Sequence, residues 1–85
     1  MNQYFLIEPE TMGAYIYIAT EENNQIVNVD RITHCFYDDF FTLISILIKE
    51  KEVYKFKIFK HTYQDYVLAK LNNINNIEIE VIESI

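Results

Sequence analysis

The sequence predicts an α+β domain whose mainly antiparallel sheet has about five to seven strands, with one helix near the carboxyl terminus. Most of the first 60 residues fall in short runs rich in Ile, Val, Tyr and Phe, which favour strands. An apolar stripe at helical spacing follows them, and a last alternating run precedes the carboxyl terminus. This order of strands, one helix and a strand is typical of the α+β class.

Polar turns divide the amino-terminal part of the chain into strand-like runs. Four such runs span residues 4–7, 14–20, 25–29 and 32–37. Pro9 ends the first run because it lacks a backbone donor, and Gly13 offers a permissive turn, so we expect a first hairpin here. In the second run, Tyr15 and Tyr17 share one face while isoleucines take the other.

The next two runs, residues 41–49 and 53–60, are expected to pair around a charged turn. The second run alternates, with lysines toward water. The first carries apolar residues on both sides, which is typical of a central strand covered on both faces. One cover is the following helix. The other is either the amino-terminal hairpin or a second subunit, which would make a homodimer through the segment from Phe41 to Ile48.

The helix is expected to begin after Thr62, a candidate N-cap with Asp65 three residues later in the manner of a capping box. Its apolar stripe consists of Tyr63, Tyr66, Val67, Leu71 and Ile74. Asparagines at four of the positions 72–76 end the helix, because Asn competes for backbone hydrogen bonds and tolerates left-handed geometry. Residues 77–82 are then the last strand.

Length and composition bound the kind of protein. The 85 residues are expected to form a single domain, because so short a chain buries only about 60–65% of the surface of its unfolded form. Hydrophobic residues make up 51% of it, including 7 Tyr and 6 Phe, so disorder is not expected. The formal net charge of −6 argues against nonspecific attachment to DNA, RNA or anionic membranes.

Cysteine usage and the amino terminus indicate a cytoplasmic protein. Cys35 is alone and cannot form an internal disulfide, and the first residues lack the order of a secretory signal. No apolar run approaches the roughly 20 residues that a membrane helix needs.

Candidates for catalysis are few. His34 and Cys35 are adjacent, so a strand would send them to opposite faces and prevent a direct thiolate–imidazole pair. Asp38 and Asp39 could bind a cation or activate water, but turns use the same residues to cap their own amides. The His and Cys spacings match no metal site, and one glycine is too few for a phosphate loop. We expect no enzymatic activity, no metal and no cofactor.

The charges are unevenly distributed. Five lysines and two glutamates lie between residues 49 and 60, a local balance of +3 in an acidic chain. One hypothesis follows from this: a homo-oligomer that sequesters an anionic nucleotide signal between its subunits. The candidate anion-binding residues are Arg31, Lys55, Lys57 and Lys60. The alternative is that the lysines keep a half-exposed strand soluble.

The acidic and aromatic residues suggest a second hypothesis, that of a protein partner. Carboxylates along strands and turns can imitate nucleic-acid phosphates and occupy a basic groove on another protein, and tyrosines are preferred interface anchors. The candidate partner-binding residues are Tyr15, Tyr17, Glu21, Glu22, Asp38 and Asp39. The alternative is that net charge serves only to keep an aromatic-rich domain dispersed.

Two resemblances bear on function. Residues 26–32, an apolar run, a charged turn, Val53-Tyr54-Lys55-Phe56 and a short helix resemble the layout of small flagellar FlbD-like proteins. In size, acidity and absence of catalytic motifs, the chain resembles small phage or mobile-element proteins that block bacterial defence, such as anti-CRISPR proteins. This second resemblance implies a stoichiometric inhibitor, located in the host cytoplasm if the chain is phage-encoded, whose partner is a nucleic-acid-binding defence protein. The first implies a structural accessory protein of flagellar or phage-particle type.

Overall fold

Two hairpin connections and two helical crossovers build the sheet in the computed structural model, which describes residues 1–83. The elements are β1 (Asn2–Pro9), β2 (Gly13–Glu22), β3 (Gln25–Phe36), α1 (Tyr37–Lys51), β4 (Lys55–Phe59), α2 (Gln64–Leu71) and β5 (Glu78–Ile82). The five-stranded sheet has the order β3-β2-β1-β4-β5. The α+β class and the strand in each predicted terminal segment are confirmed.

The sheet is mixed, so the prediction of a mainly antiparallel sheet is only half right. β2 pairs antiparallel with β1 and β3, whereas β4 pairs parallel with β1 and β5. The parallel half arises because a helix precedes β4 and another precedes β5, and a helical crossover returns the chain in the same direction. Residues 25–29 and 32–37, predicted as separate strands, lie almost entirely in the continuous β3.

Residues 41–49 lie in α1, so the prediction of a central strand there is wrong, and residues 1–83 contain two helices rather than one. Phe40, Ile44, Leu47 and Ile48 are its buried residues, which is helical spacing. The helix packs its apolar stripe on the sheet, and this explains the second apolar side that suggested a doubly covered strand. No helix in residues 1–83 has the length and apolar character needed to span a bilayer.

The main core lies between one face of the sheet and the two helices. It contains Phe5, Ile7, Ile16, Phe56 and Ile58 from the sheet and Phe40, Ile44, Val67 and Leu71 from the helices. The rings of Phe5 and Phe56 stack across the parallel β1–β4 pair, with their centroids 5.2 Å apart. Full burial of one such side chain contributes about 1.5–3 kcal/mol, so this layer supplies most of the stability.

We call the opposite side of the sheet the open face, since neither α1 nor α2 lies on it. Tyr4 and Leu6 are at its centre, and each is only 2% exposed. The Lys57 side chain lies over them: its Nζ is 4.5 Å from the Tyr4 ring centroid and 3.9 Å from a Glu21 carboxylate oxygen. A long side chain thus covers apolar surface with its stem and keeps its charge near water.

The turn before α2 differs from the expected capping box. Thr62 caps nothing; instead His61 Nδ1 accepts a hydrogen bond from the Tyr63 N–H (3.1 Å), and the His61 N–H donates to Gln64 Oε1 (3.2 Å). His61 and Gln64 thus close the turn before α2, whereas Tyr63, the N-cap residue of α2, makes no side-chain cap hydrogen bond.

We predict that Gly13→Ala destabilises the fold. A Cβ at Gly13 would lie 2.0 Å from the Cys35 carbonyl oxygen and 2.9 Å from the Phe36 Cα, so the β2–β3 backbones would have to separate. The expected loss of unfolding free energy is about 1–3 kcal/mol, measured by urea denaturation. Thr11→Ala, at an exposed position in the adjacent β1–β2 turn, is the control and should change stability by less than about 0.5 kcal/mol. Equal stability of the two variants would contradict the close approach.

We predict that His61→Ala lowers the unfolding free energy by about 1 kcal/mol, because it removes the acceptor for the Tyr63 N–H. His61→Asn should retain most of that stability, since asparagine supplies an acceptor at the same position. Urea denaturation of both variants measures the difference. If the asparagine variant is no more stable than the alanine variant, the role assigned to His61 as acceptor of the Tyr63 N–H is wrong.

Candidate functional site

One end of the molecule collects the carboxyl ends of β1, β3, β4 and β5 and the amino ends of both helices. We call it the carboxyl edge. From β1 the chain continues to β2 on one side, whereas β4 continues to β5 on the other, so the connections diverge between β1 and β4.

A groove of about 800 Å³ lies at this edge on the helix side, between the β1–β2 turn and the starts of α1 and α2. We call it the carboxyl-edge groove and define it by Met12, Phe36, Tyr37, Asp38, Asp39 and Tyr66. Met12 is 68% exposed, Phe36 54% and Tyr66 56%. Three large apolar side chains thus surround one concave surface, and clusters of this kind mark interaction sites.

Tyr37 holds the base of the groove rigid. Its hydroxyl donates a hydrogen bond to the Glu10 carbonyl, and its backbone N–H donates to the Met12 carbonyl at 3.2 Å. The β1–β2 turn is therefore fastened to the first residue of α1. Burial raises the pKa of the Tyr37 phenol, so this donor remains protonated at neutral pH.

Tyr37 and Tyr66 line the groove and belong to a longer row of aromatic rings. The Tyr37 and Tyr66 rings stack with centroids 5.3 Å apart, and Tyr63 continues the row 6.0 Å beyond Tyr66. His61 ends it, 5.7 Å from Tyr63. Stacked rings fix one another's orientation, so the exposed Tyr66 side chain is held in place before any partner binds.

Two carboxylates give the groove its charge. Asp38 and Asp39 lie in the first turn of α1, where negative charge is favourable beside the helix amino terminus. Neither is within ion-pair distance of a basic group in the part of the chain that the structure describes. Lys70 of α2 also lines the groove but forms no such pair there. The two charges are therefore available to a partner.

A second cleft, of about 330 Å³, lies at the same edge on the side of the open face. Its polar side chains contact one another or their neighbours. Glu8 accepts a hydrogen bond from Tyr17 (2.8 Å), His34 Nε2 lies 3.2 Å from a Glu10 oxygen, and Lys60 lies 3.5 Å from Glu83. Because these side chains already have partners within the chain, the second cleft has fewer charged groups free to bind a ligand than the groove has.

The structure separates the six predicted partner-binding residues. Asp38 and Asp39 line the groove. Tyr15, Tyr17 and Glu21 lie on the open face of β2 and already contact Arg31, Glu8 and Lys57, respectively, while Glu22 ends β2 at the opposite end of the sheet. Sequence reasoning missed Met12, Phe36 and Tyr66. They come from three separate elements, and no local pattern links them.

The four predicted anion-binding residues are not brought together either. Arg31 is on β3 and Lys57 on β4, three strand spacings or about 14 Å apart. In the parallel register, Lys55 and Lys57 lie beside Glu78 and Glu80 of β5, and Lys60 is paired with Glu83. The local excess of +3 is thus largely neutralised by acidic neighbours.

His34 and Cys35 occupy opposite faces of β3, as the alternation predicts. Cys35 belongs to the main core, and burial, followed by the charge of Asp39, raises the pKa of its thiol. His34 packs against Tyr15, with centroids 4.6 Å apart. Within residues 1–83, no three His, Cys, Asp or Glu side chains are close enough to share a metal ion.

Comparison with known proteins adds a likeness of fold. No protein-family model matches the chain, and no curated protein sequence does. A solved Bacteroides thetaiotaomicron protein with an actin-like ATPase fold and unknown function is similar, with a TM-score of 0.59 and 9% sequence identity. The match covers 95% of this chain and 32% of that protein. The likeness is one of fold. This chain therefore spans about a third of that protein's length, with the architecture of one part of it.

We predict that Tyr17 ionises at an unusually high pH. Burial, and then the hydrogen bond to Glu8, raise its pKa to about 12 from the ordinary 10.0. Its raised pKa stabilises the fold fully below pH 10, and that contribution is lost as pH rises from 10 to about 12. The difference in phenolate absorbance between the unmodified protein and Tyr17→Phe should show a midpoint of about 12.

Glu8→Gln should lower that midpoint, because it replaces the charged acceptor with a neutral one, whereas Glu22→Gln is the matched control and should leave it unchanged. A midpoint that Glu8→Gln does not move would contradict the contribution assigned to Glu8.

Proposed function

We propose that this chain is a non-enzymatic binding protein that acts by stoichiometric occupation of a basic surface on another protein. The carboxyl-edge groove carries the proposal: Met12, Phe36 and Tyr66 are each more than half exposed around one concave surface, beside two carboxylates without ion-pair partners in residues 1–83. Aromatic residues and methionine are enriched in protein interfaces. Exposed apolar side chains beside unpaired charge are therefore best explained by a partner that covers both.

The rigidity of the groove supports binding without rearrangement. The Tyr37 hydrogen bonds fasten the β1–β2 turn to α1, and the ring row fixes Tyr66. A preformed surface loses little conformational entropy when a partner docks. Occupation of a partner's surface also requires no bond to be made or broken, so this function needs only the shape and charge of the groove.

The proposed partner is a nucleic-acid-binding component of a bacterial defence complex, which a phage-encoded inhibitor would block. The charge at the carboxyl edge supports this choice. Six acidic residues lie there: Glu8, Glu10, Asp38, Asp39, Asp65 and Glu83. Carboxylates at one edge of an acidic protein can replace the phosphates that a basic groove normally binds, and they speed association by electrostatic attraction.

The test is a titration of purified nucleic-acid-guided nucleases and restriction enzymes with this protein, followed by light scattering after gel filtration. We expect a 1:1 complex and inhibition that saturates at one equivalent. The double variant Met12→Ser/Phe36→Ser should weaken binding by about tenfold or more, because both substitutions remove central apolar contacts.

The matched control is Ile46→Ser/Val81→Ser, which removes two exposed apolar side chains outside the groove and should change affinity less than about twofold. Thermal unfolding of both double variants shows that they remain folded. The proposal is overturned if no enzyme in the panel forms a complex, or if the groove variant binds as tightly as its control.

A further inference from the structure

The chain twice places one of its own cations on an aromatic ring. The Arg31 guanidinium carbon lies 4.7 Å from the Tyr15 ring centroid, and Lys57 Nζ lies 4.5 Å from that of Tyr4. In the second case, a Glu21 carboxylate oxygen also lies 3.9 Å from the same ammonium group. The sheet therefore already contains one cation, Lys57, that contacts an aromatic ring and a carboxylate at the same time.

The carboxyl-edge groove offers the same two partners without the cation. Phe36, Tyr37 and Tyr66 supply rings, and Asp38 and Asp39 supply carboxylates. Among residues 1–83, no lysine or arginine lies over any of these rings, and no basic group is within ion-pair distance of either carboxylate; His34 contacts the Phe36 ring edge-on, with centroids 5.9 Å apart. A cation that enters this groove would meet aromatic faces and negative charge together.

From this comparison we propose that the carboxyl-edge groove binds an arginine side chain presented by an extended segment of the partner. The inference rests on the proposed function and names the chemistry that the same groove recognises. The planar guanidinium group stacks on aromatic rings and bonds a carboxylate through two N–H groups at once, whereas lysine offers a compact, strongly hydrated charge. A groove of about 800 Å³ also has room for residues that flank the arginine.

A negatively charged ligand does not suit this groove. An anion would face Asp38 and Asp39 across an aromatic wall whose ring faces are themselves electron-rich. Lys70 is the single basic group among the residues that line it. Charge complementarity therefore favours a cationic occupant, and the ring row favours a flat one.

The experiment measures fluorescence anisotropy of labelled eight-residue peptides with the full chain. Three peptides differ at one central position, which is arginine, lysine or citrulline, and share apolar neighbours. Citrulline keeps the planar shape of arginine without the charge. We expect arginine to bind at least about tenfold more tightly than citrulline and about threefold more tightly than lysine.

Variants locate the site. Asp38→Asn/Asp39→Asn should weaken arginine-peptide binding by about tenfold and leave citrulline-peptide binding unchanged. The control Glu22→Gln/Glu50→Gln changes net charge by the same amount at exposed positions outside the groove and should have less than about a twofold effect. Tyr66→Phe should preserve binding, whereas Tyr66→Ala should weaken it, and circular dichroism checks that each variant is folded.

Equal affinity for arginine and citrulline peptides, or equal effects of the aspartate variant and its control, would overturn the inference. These results are distinguishable from failure of the proposed function. If the Met12→Ser/Phe36→Ser variant loses the partner protein while arginine peptides show no preference, the groove is a docking surface and its arginine specificity is wrong. If arginine peptides bind but no partner complex depends on the groove, the proposed function is wrong, whereas the preference of the groove for arginine is confirmed.

Discussion

Burial of β1 on both faces is the constraint on which the rest of the structure depends. Its four consecutive residues Tyr4, Phe5, Leu6 and Ile7 are all nearly inaccessible, so both sides of the strand must be covered. The helices cover Phe5 and Ile7. On the open face, side chains from β2 and β4 cover Tyr4 and Leu6. Because β1 has antiparallel β2 on one side and parallel β4 on the other, its central position also fixes where the two halves of the sheet meet.

The two faces solve the problem of coverage differently, and this difference determines where a partner can bind. The helix side uses a packed layer, and three large apolar side chains stay exposed together at its margin, where α1 and α2 begin. The open face uses long charged side chains whose heads contact one another, as in Lys57 with Glu21. The charged groups of the open face already contact one another. A partner that bound there would first have to displace ion pairs and cation–π contacts to reach Tyr4, which costs free energy. The groove presents no comparable cost.

The sequence predicted the local elements better than their arrangement. Alternation correctly indicated β2 and β4, and helical spacing indicated α2. Residues 41–48 carry apolar side chains on both sides of a strand, which suggested a doubly covered strand. The same segment also contains a helical stripe, formed by Phe40, Ile44, Leu47 and Ile48. Isoleucine's strand propensity favoured the wrong choice. Asp38 and Asp39 held the better signal, because acidic residues before an apolar run mark the start of a helix.

The candidate site was only partly predictable for a related reason. Asp38 and Asp39 are visible in the sequence as an acidic pair, but Met12, Phe36 and Tyr66 meet them only because the parallel crossovers bring three chain segments to one edge. Neither composition nor local pattern predicts that these three segments lie next to one another, because that depends on the order of the strands in the sheet.

The exposed strands at the two edges of the sheet are the other surfaces that could recruit a partner, and each is protected. β3 carries two register shifts against β2, which leave only the four pairs from Tyr17–Arg31 to Thr20–Asn28 in regular alignment between them. Bulges of this kind twist an edge and interrupt pairing with another chain. β5 has five residues and places Glu78 and Glu80 along the opposite edge. With both edges interrupted and the open face satisfied by its own charges, the carboxyl-edge groove is where exposed apolar surface and unpaired charge coincide.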